Sequence, residues 1–224
     1  MPNAAVKTHG AYTLKMVYDD YPDNPRENDN FSTMVCWHSR YMLGDKHDYE
    51  SRDDFFRDLV EKVCKCSEIV DFVRLEQSEQ INLVSQHCLI QPLYLYDHSG
   101  LTINTTGFTC PWDSGQIGWA YVSHADIIKE YGALTPETIE KARHLLNAEV
   151  KEYDYYLRGE CYGFQLLENG EEIDSCYGFL GDFDDAKEAI KGYLPDSITQ
   201  LAEHINYGDD DPECEEEEEM EDEW

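Results

Sequence analysis

Acidic residues are concentrated at the C-terminus of this chain, and this limits which part of it can fold. Twelve of the last sixteen residues are Asp or Glu, and none is Lys or Arg. Such a segment cannot bury enough apolar surface to offset the entropy lost when it becomes ordered. We therefore predict that residues 208–224 form a disordered acidic tail and that residues 1–207 form a single folded domain.

The part before the tail is acidic as well, which argues against several classes of ligand. The whole chain has 48 Asp and Glu against 17 Lys and Arg, a formal net charge of −31 at pH 7. Between Ser67 and Ile128 the only Lys or Arg is Arg74. A nucleic-acid ligand requires a basic surface, and an anionic membrane would repel an acidic one. We expect neither a nucleic acid nor a membrane to be a direct partner.

The distribution of apolar residues and cysteines indicates a cytoplasmic protein. No apolar run approaches the roughly 20 residues that span a bilayer, and Met1 to Gly10 lack the apolar segment of a signal peptide. Without a secretory signal, the eight cysteines are expected to be reduced, and no CxxC pair is present. We expect no cofactor.

Hydrophobic periodicity predicts a mixture of strands and helices. Alternation predicts strands at 12–18, 34–39, 93–96, 101–105, 119–122, 161–167 and 173–179. Helical spacing, with capping residues at several starts, predicts helices at 51–63, from 123, at 135–157, 184–193 and 195–204, and favours a helix within 66–88. Asn169-Gly170 is a strong hairpin signal. We predict an α+β fold in which hairpins form an antiparallel sheet and helices pack on one face.

Two stretches of the predicted domain are loaded with carboxylates. Residues 168–188 contain eight acids against a single Lys, and a second acidic stretch begins at residue 19. We predict that these carboxylates bind a basic partner protein: Glu168, Glu171, Glu172, Asp174, Asp182, Asp184, Asp185, Glu188, Asp19, Asp20 and Asp23. The average charge density of the domain is about fivefold below that of duplex DNA, so mimicry of DNA requires these side chains to share one face.

A metal site is one alternative. Cys36 and His38 share one face if 34–39 is a strand, and His98 or Asp97 at a hairpin tip could complete a metal site. The competing interpretation is that Cys36 is a core residue, His38 a satisfied polar neighbour and Asp97 a turn former.

A cysteine hydrolase is a second alternative, with Cys110 as nucleophile and His98 or His124 as base. The competing interpretation is a rigid loop in which Trp112 packs inward. In the same segment, Gly115 and Gly118 are interpreted as turn glycines.

Three segments of the sequence carry a resemblance to known proteins. They are MVCWHSRYMLGD at 34–45, PLYLYDHSG at 92–100 and CPWDSGQIG at 110–118, together with CYGF at 161–164 and DSCYGF at 174–179. These motifs resemble an uncharacterised family found in bacteriophages and other mobile elements. The resemblance covers most of residues 12–181 but not the tail. It implies a phage or mobile-element accessory protein, and it transfers no catalytic residue because the family has no established activity.

Charge and resemblance together predict a counter-defence role. Nucleases and restriction systems have basic grooves for nucleic acid that a polyanion can occupy. We predict an acidic inhibitor, of the anti-restriction or anti-CRISPR type, that mimics DNA and binds a basic host defence protein in the host cytoplasm. The alternative is a small metal- or cysteine-dependent hydrolase that uses the constellation Cys36, His38, Asp97, His98 and Cys110.

Overall fold

The computed structural model describes residues 3–64 and 75–209, which form α-helices and two antiparallel sheets. The α+β class is therefore confirmed. Contacts divide the chain into two compact units: unit 1 consists of Met1–Asn24 and Tyr155–Trp224, and unit 2 of Pro25–Asp154. The single domain 1–207 stays a prediction, because a division of contacts does not show whether the two units unfold separately.

The helices and strands follow the predicted order, with additions. In chain order they are β1 Asn3–His9, β2 Tyr12–Tyr18, β3 Thr33–Cys36, α1 Arg52–Cys64, α2 Gln77–Ser85, β4 Cys88–Asp97, β5 Leu101–Asn104, β6 Ser114–Ser123, α3 His124–Tyr131, α4 Pro136–Arg158, β7 Cys161–Glu168, β8 Glu171–Leu180, α5 Phe183–Lys191 and α6 Thr199–His204. The sequence did not predict β1. The part of the predicted 66–88 helix at 66–74 lies outside the described residues.

Unit 1 is a four-stranded antiparallel sheet with helices on one face. The strand order is β1-β2-β7-β8. Alternate residues of the two central strands, such as Met16 and Phe164, point to the same face and are buried with the apolar sides of α5 and α6, including Ile190 and Leu201. Helices α5 and α6 therefore pack on one face as predicted, while Val17 and Cys161, which point to the other face, are buried as well.

The β7–β8 hairpin forms at the predicted turn. Asn169 and Gly170 join the two strands with φ values of 52° and 84°, the left-handed conformation that a two-residue turn of this kind requires.

The outer edge of β1 pairs with the end of the described chain. The amide of Gly208 donates to the carbonyl of Ala4 at 2.9 Å, and the amide of Val6 donates to the carbonyl of Asp209 at 2.7 Å. The hydrogen-bonded chain thus continues two residues into the segment predicted as tail. Residues 210–224 lie outside the described residues.

Unit 2 contains the second sheet, in the order β3-β6-β4-β5, and both faces of that sheet are buried. Val35 and Trp119 pack with Phe55 and Phe56 of α1. Their strand neighbours Met34 and Ala120 point to the opposite face and are also fully buried. The sheet of unit 2 is therefore buried on both faces, which differs from the predicted packing on one face.

Gly118 has a different role from the predicted one. It lies inside β6, opposite Cys36 of β3, and a Cβ at this position would come within 2.0 Å of the carbonyl oxygen of Val35. Gly118 therefore permits two strands to approach closely, whereas the sequence analysis assigned it to a turn. Because β6 already begins at Ser114, this strand is also longer than the predicted 119–122.

Candidate functional site

All eleven predicted partner-binding carboxylates belong to unit 1. Nine are exposed, whereas Asp19 and Glu168 are half-buried. Residues 3–24 and 155–209 carry 15 acidic and five basic side chains, a net charge of −10 in 77 residues. Residues 25–154 carry 22 acidic and 12 basic side chains, the same net charge spread over 130 residues. Unit 1 is therefore the more strongly acidic of the two.

Within unit 1 the carboxylates form two groups, one at each end of the β7–β8 hairpin. The hairpin group, at the turn, consists of Glu168, Glu171, Glu172 and Asp174. The helix group, at the opposite end, consists of Asp182, Asp184, Asp185 and Glu188. The seven residue steps along β7 separate the two ends by about 24 Å. They are therefore not one continuous cluster.

The acidic stretch that begins at Asp19 lies at the helix-group end. The amide of Asp19 donates to the carbonyl of Cys161 at 2.9 Å, and Cys161 pairs with Leu180 just before α5. Burial, with the nearby Asp19 carboxylate, raises the pKa of the Cys161 thiol to about 11. The two acidic stretches of the sequence thus meet at only one end of the hairpin.

Carboxylates of the helix group are engaged in local structure. Asp182 caps α5 by accepting from the amide of Asp185 at 2.9 Å, and Asp185 accepts from the hydroxyl of Tyr155 at 2.9 Å. Asp184 pairs with Lys187 at 2.9 Å and Glu188 with Lys191 at 2.7 Å. These contacts offset part of the group's negative charge, so it is the weaker candidate for binding a partner.

Three carboxylates of the hairpin group, those of Glu171, Glu172 and Asp174, lack such compensation, whereas Glu168 accepts a hydrogen bond from the hydroxyl of Tyr12. The carboxylates of Glu171 and Glu172 have no ion pair or hydrogen bond among the described residues, and the carboxylate of Asp174 accepts only from the amide of its neighbour Ser175 at 2.9 Å. The three lie within three residue steps, about 10 Å of strand. Neighbouring residues of a strand point to opposite faces, so Glu172 projects from the face opposite to that of Glu171.

The metal site predicted from Cys36, His38 and His98 is not assembled. Strand β3 ends at Cys36, so His38 does not share a strand face with it. Burial raises the pKa of the Cys36 thiol to about 12, which keeps it in the neutral form that binds metals poorly. The Nδ1 atom of His38 accepts from the amides of Arg40 and Tyr41, both at 3.3 Å. Within residues 3–64 and 75–209, no group of three His, Cys, Asp or Glu side chains could hold a metal ion.

The predicted cysteine hydrolase lacks the contact between nucleophile and base. Asp113 lies between the two candidates, with its Oδ2 atom 3.8 Å from Cys110 Sγ and 3.4 Å from His98 Nδ1. No hydrogen bond joins Cys110 to His98 or His124 among the described residues. A carboxylate beside the sulfur repels a thiolate, whereas a catalytic thiol needs a base or a cation.

Two neighbours of this cluster also differ from an active-site arrangement. Asp97 pairs with Arg40, so its charge is engaged away from the cysteine. Trp112 is 91 % exposed, so the prediction that its indole packs inward is wrong.

The 34–45 motif instead contributes to a buried ion cluster that the sequence did not reveal. The Arg26 side chain is 2 % exposed and contacts both oxygens of Asp45, at 2.8 and 3.0 Å. It also donates to the carbonyl of Ser32 at 2.7 Å and lies 3.6 Å from Glu149. Asp45 accepts from the amide of Met34 at 2.9 Å. The motif therefore stabilises unit 2, and the sequence around Arg26 gives little sign of this role.

A polar cavity of about 430 Å³ in unit 2 was also missed. In its lining, Lys62 pairs with Asp58 at 2.6 Å, and Asp58 accepts from the hydroxyl of Tyr49. The pKa of Lys62 is raised because Asp58 stabilises its charged form. The i,i+4 spacing of Asp58 and Lys62 was a usable signal. Since the two charges neutralise each other, this ion pair contributes no net charge to the cavity.

Comparisons leave the function to be inferred from these side chains. None of the described helices is both long and apolar enough to cross a membrane. No family model, curated protein or solved structure matches the chain. The resemblance of its motifs to a phage family therefore stays a prediction.

Proposed function

We propose that this chain is a phage or mobile-element accessory protein that binds and inhibits a basic, nucleic-acid-binding host defence protein in the host cytoplasm, without catalysis. The observation that carries the proposal is the exposed and uncompensated carboxylate cluster of Glu171, Glu172 and Asp174 in β8. The higher charge density of unit 1 and the acidic tail sequence support it.

Uncompensated carboxylates suit this role for an electrostatic reason. A carboxylate already paired with Lys must give up part of that interaction before it can attract a partner, whereas Glu171 and Glu172 have no such interaction to lose. Because these carboxylates are exposed, cationic side chains that bind the phosphates of a nucleic-acid strand can contact them. A strongly negative unit also accelerates encounter with a basic protein.

No observation favours the alternative hydrolase. Cys110 faces Asp113, and the Cys36 thiol is buried and neutral. We therefore assign the 34–45 and 110–118 motifs to structural roles in unit 2.

A pull-down from host lysate tests the proposal. The baits are the full chain, a form lacking residues 210–224, and E171Q/E172Q/D174N. A matched control, E61Q/E130Q/E152Q, removes three exposed carboxylates of unit 2 that have no ion pair among the described residues. Washing at low and high salt, with or without competing duplex DNA, measures the electrostatic part of binding.

We expect the full chain and the matched control to recover the same basic nucleic-acid-binding protein, and DNA or high salt to displace it. The E171Q/E172Q/D174N bait should lose most of it. Equal recovery by that bait and by its control would refute the assignment to β8. If only the bait lacking residues 210–224 fails to recover the partner, the binding site lies in the tail and not in β8.

A further inference from the structure

One edge of the unit 1 sheet is open in the described structure. The strand order β1-β2-β7-β8 ends at β8, and no described strand pairs with its outer edge. Residues 171–175 are all exposed. The other outer strand, β1, has its edge occupied by hydrogen bonds to Gly208 and Asp209. The edge of β8 therefore presents backbone donors and acceptors that a further strand can use.

We propose that the free edge of β8 binds an extended, Lys- and Arg-rich segment of the partner protein by strand addition. This inference rests on the proposed function, because it specifies how the same carboxylates engage their partner. In this mode backbone hydrogen bonds provide the ladder, and side chains of the added strand meet those of β8.

The side chains of β8 define the occupant as basic. An added strand would place its own side chains directly beside Glu171, Glu172 and Asp174, and opposite charges side by side stabilise a strand pair. A second copy of this edge would instead place carboxylates against carboxylates, which disfavours self-pairing. The exposed apolar side chains of Ile173 and Tyr177 offer contacts to apolar residues interspersed between the basic ones. An alternating basic and apolar segment can place its basic side chains on the face of Glu171 and Asp174 and its apolar side chains on the face of Tyr177, which Glu172 shares.

If the added segment forms a hydrogen-bond ladder with β8, blocking those hydrogen bonds should lower its affinity measurably. Half of the residues in a regular strand direct their N–H and C=O groups to each side, and β8 has register shifts around residues 173 and 177–178, so its ten residues offer at most about five such residues to an added strand. Each hydrogen bond contributes modestly, and losing three or four lowers affinity by at least about tenfold. Binding by electrostatic attraction alone predicts no loss of affinity when the hydrogen bonds are blocked.

A pair of synthetic peptides separates strand addition from simple charge attraction. Both are ten residues long with alternating Lys and Val, and one is N-methylated at its six central residues, which removes three N–H donors from each of its edges. The two have equal charge. Affinities are measured for the full chain, for E171Q/E172Q/D174N and for E61Q/E130Q/E152Q. Amide hydrogen exchange is followed in residues 171–180 with and without peptide.

Strand addition predicts that the unmodified peptide binds the full chain at least about tenfold more tightly than the methylated one and slows exchange of alternate amides in β8. Equal affinity of the two peptides, with loss for E171Q/E172Q/D174N, would overturn strand addition and leave the proposed function standing. Tight binding without protection of β8 would overturn it as well. If neither peptide binds, strand addition is wrong, and the lysate experiment alone decides the proposed function.

Discussion

Removing the buried cation of unit 2 should destabilise that unit strongly. Arg26→Met leaves the carboxylates of Asp45 and Glu149, whose side chains are 24 % and 10 % exposed, without their shared partner. Breaking a buried ion pair by removing one partner costs about 3–5 kcal/mol. Because Asp45 keeps some solvent contact, we expect about 3 kcal/mol, which lowers the melting temperature by about 6–12 °C in a chain of this size.

Urea unfolding followed by tryptophan fluorescence measures this change. Three of the four tryptophans, Trp37, Trp112 and Trp119, lie in unit 2, so the signal reports mainly on that unit. Lys46→Met is the matched control, because Lys46 pairs with Glu27 on the surface and its loss costs less than about 1 kcal/mol.

Neutralising a carboxylate that has lost its Arg26 partner provides a second check. Adding Asp45→Asn to Arg26→Met should recover part of the lost stability, because it removes one of the two uncompensated carboxylates. An Arg26→Met protein as stable as Lys46→Met would refute the assignment of the 34–45 motif to the buried ion cluster.

The thiol and glycine positions give further predictions. Iodoacetamide at pH 8 should label Cys110 well before the buried Cys36, as mapped by mass spectrometry, and equal rates would contradict the burial of Cys36. Burial raises the pKa of Cys36 from 9.0 to about 12, so the unfolded thiol ionises first. The free energy of unfolding should therefore fall above pH 9, by up to about 1.4 kcal/mol per pH unit, and Cys36→Ala should remove that component. Gly118→Ala should destabilise unit 2 by about 1–3 kcal/mol, because the added Cβ clashes with Val35. Gly115→Ala is the control and should not destabilise it, because no atom lies within 4 Å of the Cβ added there. Equal midpoints of urea unfolding for the two variants would refute the close approach of β3 and β6.

Features governed by short-range sequence were predicted well. The Asn169-Gly170 turn forms as expected because the left-handed conformation it needs is a property of those two residues. The starts of α1 and α3 were also predicted, since Ser51 and Ser123 accept hydrogen bonds from amides only three residues ahead, at 3.2 and 3.0 Å. Both kinds of signal act within a few residues.

Features that depend on distant residues were not predicted. Arg26 meets Glu149, which is more than 100 positions away in the sequence. The division into two sheets could not be predicted because β2 pairs with β7, and all residues of unit 2 lie between these two strands in the sequence.

The acidic site was predicted in composition but not in detail. The sequence identified Asp184 and Glu171 alike, whereas only the structure shows that Asp184 is paired with Lys187 and that Glu171 has no ion pair among the described residues. A charge count cannot distinguish a carboxylate that stabilises its own helix from one that is available to a partner.

Affinity for the captured partner, measured over a salt series, tests the central claim most directly. Isothermal titration calorimetry or surface plasmon resonance compares the full chain with E171Q/E172Q/D174N and E61Q/E130Q/E152Q. Three surface charge contacts of about 0.5–1 kcal/mol each predict a loss of about 10- to 150-fold for E171Q/E172Q/D174N at low salt, and this loss should shrink as salt screens the charges. The matched control should bind like the full chain. Affinity that is independent of salt, or equal losses in both triple variants, would contradict the account.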